Sequence, residues 1–238
     1  MYLDGLRIRS KVPKLPEAKE PQGTFLIKNA EESQVLIIGE STVAGVGVST
    51  HDQGYAGVLA KQLSERLNKT IHWEVHAKSG YTTKQVSQLI LPKVPKKTFD
   101  LIVVGLGGND AFTLNTPWRW RRHIDQLIKK LDEQYPGTPV YFANMPPIKE
   151  FIAFTPLIKG TIGNLVEVLG SELKDLVADK ERVFYNDDII RFKTWTERYE
   201  LDNPVQDFFS DGVHPSQLTY ELWAKDSAHF ISRQNILS

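Results

Sequence analysis

The chain contains no cysteine and only two methionines among its 238 residues. The first absence excludes thiol nucleophiles, cysteine-based zinc sites, iron–sulfur clusters and disulfides together, and it suits a reducing or an oxidising compartment alike. Any covalent catalysis has to use another atom. Neither sign of charge is in surplus, because 29 Lys+Arg balance 29 Asp+Glu. A protein built mainly to hold a phosphate backbone usually carries a basic excess, so nucleic acid is not expected as a partner. Long apolar runs are lacking as well. No stretch approaches the ~18 residues of a membrane span, and Met1-Tyr2-Leu3-Asp4-Gly5 has no apolar core of a signal peptide. As written, the chain is expected in the cytoplasm.

What is present is the composition of an ordinary globular protein, 41% hydrophobic and 24% charged. A chain of this size can bury roughly 70–75% of its unfolded surface and needs no covalent staple. Residues 1–33 carry Pro13, Pro16 and Pro21, alternating charge and little apolar periodicity, and read as an extended arm on the surface of a single domain spanning 34–238, or as a disordered tail. From Val35 onward, short apolar runs alternate with helical periods. Val35 to Ile38, Ile71 to His76, Leu101 to Val104, Val140 to Ala143 and Val183 to Tyr185 are expected strands. Between them, Leu59, Leu63 and Leu67 mark one helix face, and a short helix from Thr82 or Thr83 stops at Pro92 and Pro95. Thr116-Pro117 opens a helix carrying Ile124, Leu127, Ile128 and Leu131 on one face. Leu165, Leu169, Leu173 and Leu176 mark another, and Ser216 to about Ile231 forms the last. The pattern predicts an α/β fold with a five-stranded parallel sheet between helical layers, and such sheets place their sites beyond the carboxyl ends of the strands.

The strand ends carry the chemistry. The first strand runs into Gly39-Glu40-Ser41, the second is followed by Lys78-Ser79-Gly80-Tyr81, and the third by Gly105-Leu106-Gly107-Gly108-Asn109-Asp110. Ser210-Asp211-Gly212-Val213-His214-Pro215 stands just before the last helix. A serine hydroxyl becomes a nucleophile when a base takes its proton, the base needs an orienting partner, and the developing oxyanion needs preplaced donors. Ser41 is the candidate nucleophile, His214 the base and Asp211 its partner three residues away. The N–H groups of Ser41 and Gly80 and the side-chain amide of Asn109 are candidate oxyanion donors.

These four blocks, in this order, resemble those of the SGNH hydrolases, also called GDSL esterases/lipases, over about residues 35 to 231. The resemblance implies a flavodoxin-like three-layer α/β/α sandwich. It also implies hydrolysis of a small ester or thioester through an acyl-serine, without cofactor or metal, with the roles given above to Ser41, Gly80, Asn109, Asp211 and His214. The family usually has Asp before the serine, where this chain has Glu40, which bears on the geometry of the nucleophile loop. Arg7 to Ala18 resembles the segment that follows an N-terminal membrane helix in some bacterial relatives. Membrane association, and a periplasmic or membrane-anchored location, would then require an anchor absent from this chain. An acyltransferase using the same acyl-serine, and a catalytically silent binding domain of the same fold, are the alternatives.

Other constellations fit less well. Gly39-x-Ser41-x-Val43 lacks the last glycine of the G-x-S-x-G elbow, and Gly45-x-Gly47 lacks the third glycine of a dinucleotide fingerprint. His72, Glu74 and His76 share a strand face at a spacing that could hold a metal, but an exposed or edge-strand face explains them more simply. Trp118-Arg119-Trp120-Arg121-Arg122 is basic and aromatic, yet its position at a helix start lets Trp120 join the buried face. The stretch Ile189 to Phe209, with Phe192, Trp195, Tyr199, Phe208 and Phe209, either walls an acyl pocket or packs on the last helix. Met145-Pro146-Pro147 should line the same edge.

Overall fold

Val35 to Ile38 have no polar alternation, which fits a strand covered on both faces, and in the computed structural model, which describes residues 15–237, all four are buried. They lie in β2 (Glu32–Gly39), at the centre of a sheet with β1 (Gln22–Phe25), β3 (Thr70–Ala77), β4 (Leu101–Gly105), β5 (Val140–Phe142) and β6 (Val183–Tyr185). The spatial order is β1-β3-β2-β4-β5-β6. The last five run parallel, while β1 pairs antiparallel with β3.

The sheet therefore has six strands, not the five expected, and the sixth comes from the segment read as an arm. Gln22-Gly23-Thr24-Phe25 alternates exposed and half-buried residues, as an edge strand does, and its few apolar side chains gave no periodic signal. Gly23 leaves room for its neighbour, because a Cβ there would lie 2.6 Å from the Trp73 ring. Upstream of β1 the chain crosses the loop after β2. Ala18 donates to the Ala44 carbonyl, Lys19 donates to that of Ser49, and His51 donates to that of Lys19. Of the stretch Arg7 to Ala18, residues 7–14 lie outside the described residues.

Four long helices complete the layers: α1 (Tyr55–Leu67), α2 (Pro117–Gln134), α3 (Asn164–Val177) and α4 (Gln217–Arg233). They pack in pairs, α1 against α4 and α2 against α3. α2 starts where Thr116 caps the Arg119 N–H and Pro117 fills the first helical position. Its 3.6-residue period buries Trp120, Ile124, Leu127, Ile128 and Leu131. Trp118 stays on the outer face, with the Arg122 guanidinium over its ring. Burying one Leu such as Leu127 is worth about 1.5–3 kcal/mol. Among the described residues no helix is long and apolar enough to cross a membrane.

Candidate active site

Residues 41 to 47 leave β2 in a series of turns, with Ala44 donating to the Glu40 carbonyl and Val46 to that of Ser41. The buried Tyr220 of α4 pins this loop from behind, its hydroxyl donating to the Val46 carbonyl at 2.8 Å. Gly47 closes the loop at φ +109°, and a Cβ there would lie 2.4 Å from the Pro215 carbonyl oxygen and 2.6 Å from the Ser210 hydroxyl. Only glycine takes both the backbone conformation and the approach without strain. The loop bearing Ser41 thus rests directly on the loop bearing His214.

That second loop is shaped by Asp211. One carboxylate oxygen accepts the backbone N–H groups of Val213 at 2.9 Å and His214 at 2.7 Å, and the other meets His214 Nδ1 at 2.8 Å. The aspartate side chain is 1% exposed and the imidazole 22%. Burial alone would raise the Asp211 carboxyl. The hydrogen bonds from the His214 ring and N–H outweigh it and hold the group below its usual range. A short bridge between Phe209 and Pro215 closes the loop at its base.

The third segment follows β4. Gly108–Phe112 is a single helical turn, whose first N–H groups have no partner within the helix. Glu40 supplies one: Oε1 accepts from Gly108 N at 2.7 Å and Oε2 from Asn109 N at 2.8 Å. Burial pushes the Glu40 carboxyl up, and the N–H groups of Asn109 and Gly108 pull it back down. The Asn109 side chain donates to the Tyr81 carbonyl at 3.1 Å. Next to it, the fully buried Asp110 accepts from the backbone N–H and hydroxyl of Thr83 and from Asn115 Nδ2.

Ser41, Asn109 and His214 line one cavity of about 140 Å³, together with Phe112, Phe151, Phe192 and Phe209. Asp211 stands behind His214. Gly80 is not part of that lining. It sits exposed at φ +83° in the turn that Tyr81 N–H closes on the Lys78 carbonyl, one residue from the carbonyl that holds Asn109. Glu17 braces this turn by accepting from Ser79 N at 2.7 Å. Pro146 and Pro147 border the cavity as expected, while Met145 lines a neighbouring one. The stretch from Ile189 to Phe209 does both things its aromatics suggested. Phe192 and Phe209 face the cavity, and Trp195, Arg198 and Tyr199 bind Asp226 of α4.

The strand-face residues weighed for a metal are occupied otherwise. His72 meets Thr24 and Glu32, and Glu74 pairs with His76 and Lys97. Two roles were not legible in the sequence, the reach of Glu40 to the Asn109 loop and the grip of Asp110 on Thr83. Both are contacts between loops far apart in the chain, and the only local hint was a carboxylate beside each candidate residue.

A serine, an imidazole on a buried carboxylate and a side-chain amide thus come together around one partly apolar cavity. The chain matches the GDSL-like lipase/acylhydrolase family over residues 37–222 and belongs to it. It is an esterase-type hydrolase of that family, acting on small-molecule esters. Solved structures of the same fold include the lipase Lip_vut3 from a goat rumen metagenome, at 19% identity and TM-score 0.61 over 82% of this chain and 97% of that one. A lipolytic G-D-S-L family protein from Veillonella parvula matches at 14% and 0.62, over 84% and 98%. A family two carbohydrate esterase from Clostridium thermocellum, in complex with cellohexaose, matches at 15% and 0.62, over 89% and 67%. A search of curated proteins finds no match by sequence.

Proposed function

We propose that the protein hydrolyses short-chain carboxylic esters through an acyl-serine at Ser41. The observation that carries this reading is the Asp211–His214 pair at 2.8 Å, with the imidazole bordering the same cavity as Ser41 and Asn109. In the first half-reaction the Ser41 oxygen attacks the ester carbonyl carbon and gives its proton to His214 Nε2. Asp211 holds the ring by Nδ1–H and stabilises the imidazolium. The carbonyl oxygen becomes an oxyanion that accepts from the Ser41 N–H and the Asn109 amide, with the Gly80 N–H, outside the cavity lining, reaching it only if that turn moves inward. Collapse breaks the bond to the leaving alcohol, which takes the proton from His214. Water then repeats the sequence on the acyl-serine, releasing the acid and restoring Ser41.

The size of the acyl group follows from the walls. A buried cavity of about 150 Å³ accommodates benzene, and this one, at about 140 Å³ between phenylalanines, suits an acyl chain of similar bulk. Rapid acid quench during turnover of a p-nitrophenyl acyl ester, followed by peptide mass analysis, tests the proposal. One acyl group on the peptide containing Ser41 is expected. Acylation at another residue, or a pre-steady-state burst without acylated protein, would overturn it.

A further inference from the structure

Glu40 stands between the candidate nucleophile and the candidate oxyanion donor in a way the reaction scheme does not use. Its main chain belongs to the end of β2, where its N–H donates to the Gly105 carbonyl at 3.1 Å. Its side chain crosses to the next loop and uses both carboxyl oxygens there, one on Gly108 N and one on Asn109 N. The fit is close, because a Cβ on Gly108 would lie 3.0 Å from Oε1. The group is 5% exposed. With both oxygens engaged by backbone donors, it is poorly placed to pass protons to a substrate.

We infer that Glu40 is a positioning residue that sets the Asn109 amide against the reacting carbonyl, by clamping the peptide N–H groups of Gly108 and Asn109 at the open first turn of their helix. The inference rests on the acyl-serine reading above. Two contacts fix Asn109 independently: Glu40 holds its main chain, and the Tyr81 carbonyl takes one N–H of its side-chain amide. The amide has a second N–H, which the inference assigns to the reacting carbonyl oxygen. Because Glu40 is bonded to Ser41 through the chain, one residue ties the attacking atom to the group that receives the charge it creates. An oxyanion donor loses much of its effect when displaced by a fraction of an ångström, since a misplacement of about 1 Å can cost ~10²-fold in rate.

The length of the side chain matters to this clamp. Gln at position 40 keeps the shape but has a single acceptor oxygen, and its NH₂ would face an N–H donor. Asp keeps both acceptor oxygens on a stem one methylene shorter. The test is a kinetic cycle on p-nitrophenyl acetate with Glu40→Gln, Glu40→Asp, Asn109→Ala and the Glu40→Gln/Asn109→Ala double variant, with thermal midpoints measured alongside. Glu40→Gln is expected to lower kcat by about 10- to 100-fold, with KM moving less than about threefold. Glu40→Asp should keep more of kcat than Glu40→Gln does. In the Asn109→Ala background, Glu40→Gln should cost less than about threefold, because the group it positions is gone. A residue that merely supports the fold would cost the same in both backgrounds, and that result overturns the inference. So does a folded Glu40→Gln protein with unchanged kcat. Should Glu40→Gln fail to fold, Glu40→Asp alone and combined with Asn109→Ala gives the same comparison. If Asn109→Ala itself costs nothing, Asn109 is no oxyanion donor and the inference falls with that part of the scheme, while acylation of Ser41 tests the rest. If Asn109→Ala carries its full cost and the Glu40 variants carry none, only the role of Glu40 falls.

Discussion

Asp110 Oδ2 accepts two hydrogen bonds from Thr83, from its backbone N–H at 2.8 Å and from its hydroxyl at 2.7 Å. The same hydroxyl accepts from the indole N–H of the buried Trp120 at 3.2 Å, and Asp110 Oδ1 accepts from Asn115. This knot ties the helical turn after Gly80–Tyr81 to the turn carrying Asn109, so two of the candidate oxyanion donors share one buried support. Removing its acceptor leaves several donors unpaired, each at a cost of about 1–3 kcal/mol.

Asp110→Ala should therefore lower stability by about 2–5 kcal/mol in urea denaturation. A change below ~0.5 kcal/mol would mean that the knot is held by something else.

Asn109→Ala should reduce kcat by ~10²–10³ with a smaller effect on KM, as expected for a donor aimed at charge that develops in the transition state. Steady-state kinetics on p-nitrophenyl acetate check this. A loss below fivefold would leave the asparagine as a turn residue only.

Asp211→Asn should cost about 10⁴-fold by leaving His214 in the wrong tautomer. Steady-state kinetics on p-nitrophenyl acetate check this, and a loss below tenfold would contradict the orienting role of Asp211.

His51 is buried to 3% exposure beside Trp73, and burial lowers it from 6.5 to about 4 against the charges of Glu17 and Asp52. Between those pH values the unfolded chain binds a proton that the folded chain does not, so stability rises with pH across this window and is lost as pH falls through it. The thermal midpoint should drop between pH 6.5 and 4.5 more steeply in the wild type than in His51→Gln. Equal slopes would show that His51 is not responsible.

Much of this architecture could be read from the chain. The uninterrupted apolar runs Val35–Ile38 and Leu101–Val104 identified the central strands, since only a strand covered on both faces dispenses with polar residues. The three-residue spacing of Asp211 and His214 announced a loop able to bring carboxylate and imidazole together, and the structure has them 2.8 Å apart. The edge strand Gln22–Phe25 was not legible, because its stability comes from the β3 backbone and the Trp73 ring instead of from its own pattern. The grips of Glu40 and Asp110 were hidden for a related reason. Each joins residues 27 to 69 positions apart, and no local spacing encodes such a contact.

Acyl length supplies a further check. With Phe112, Phe151, Phe192 and Phe209 around about 140 Å³, kcat/KM should peak between acetyl and hexanoyl esters and fall for palmitoyl. A rising series out to palmitoyl would place the acyl chain elsewhere on the surface.

The most direct measurement is ester turnover by Ser41→Ala, purified beside the wild type and shown by circular dichroism and thermal midpoint to be equally folded. The account predicts a loss of about 10⁴-fold or more in kcat, together with loss of covalent labelling by a fluorophosphonate. Turnover within tenfold of the wild type, or undiminished labelling, would contradict it.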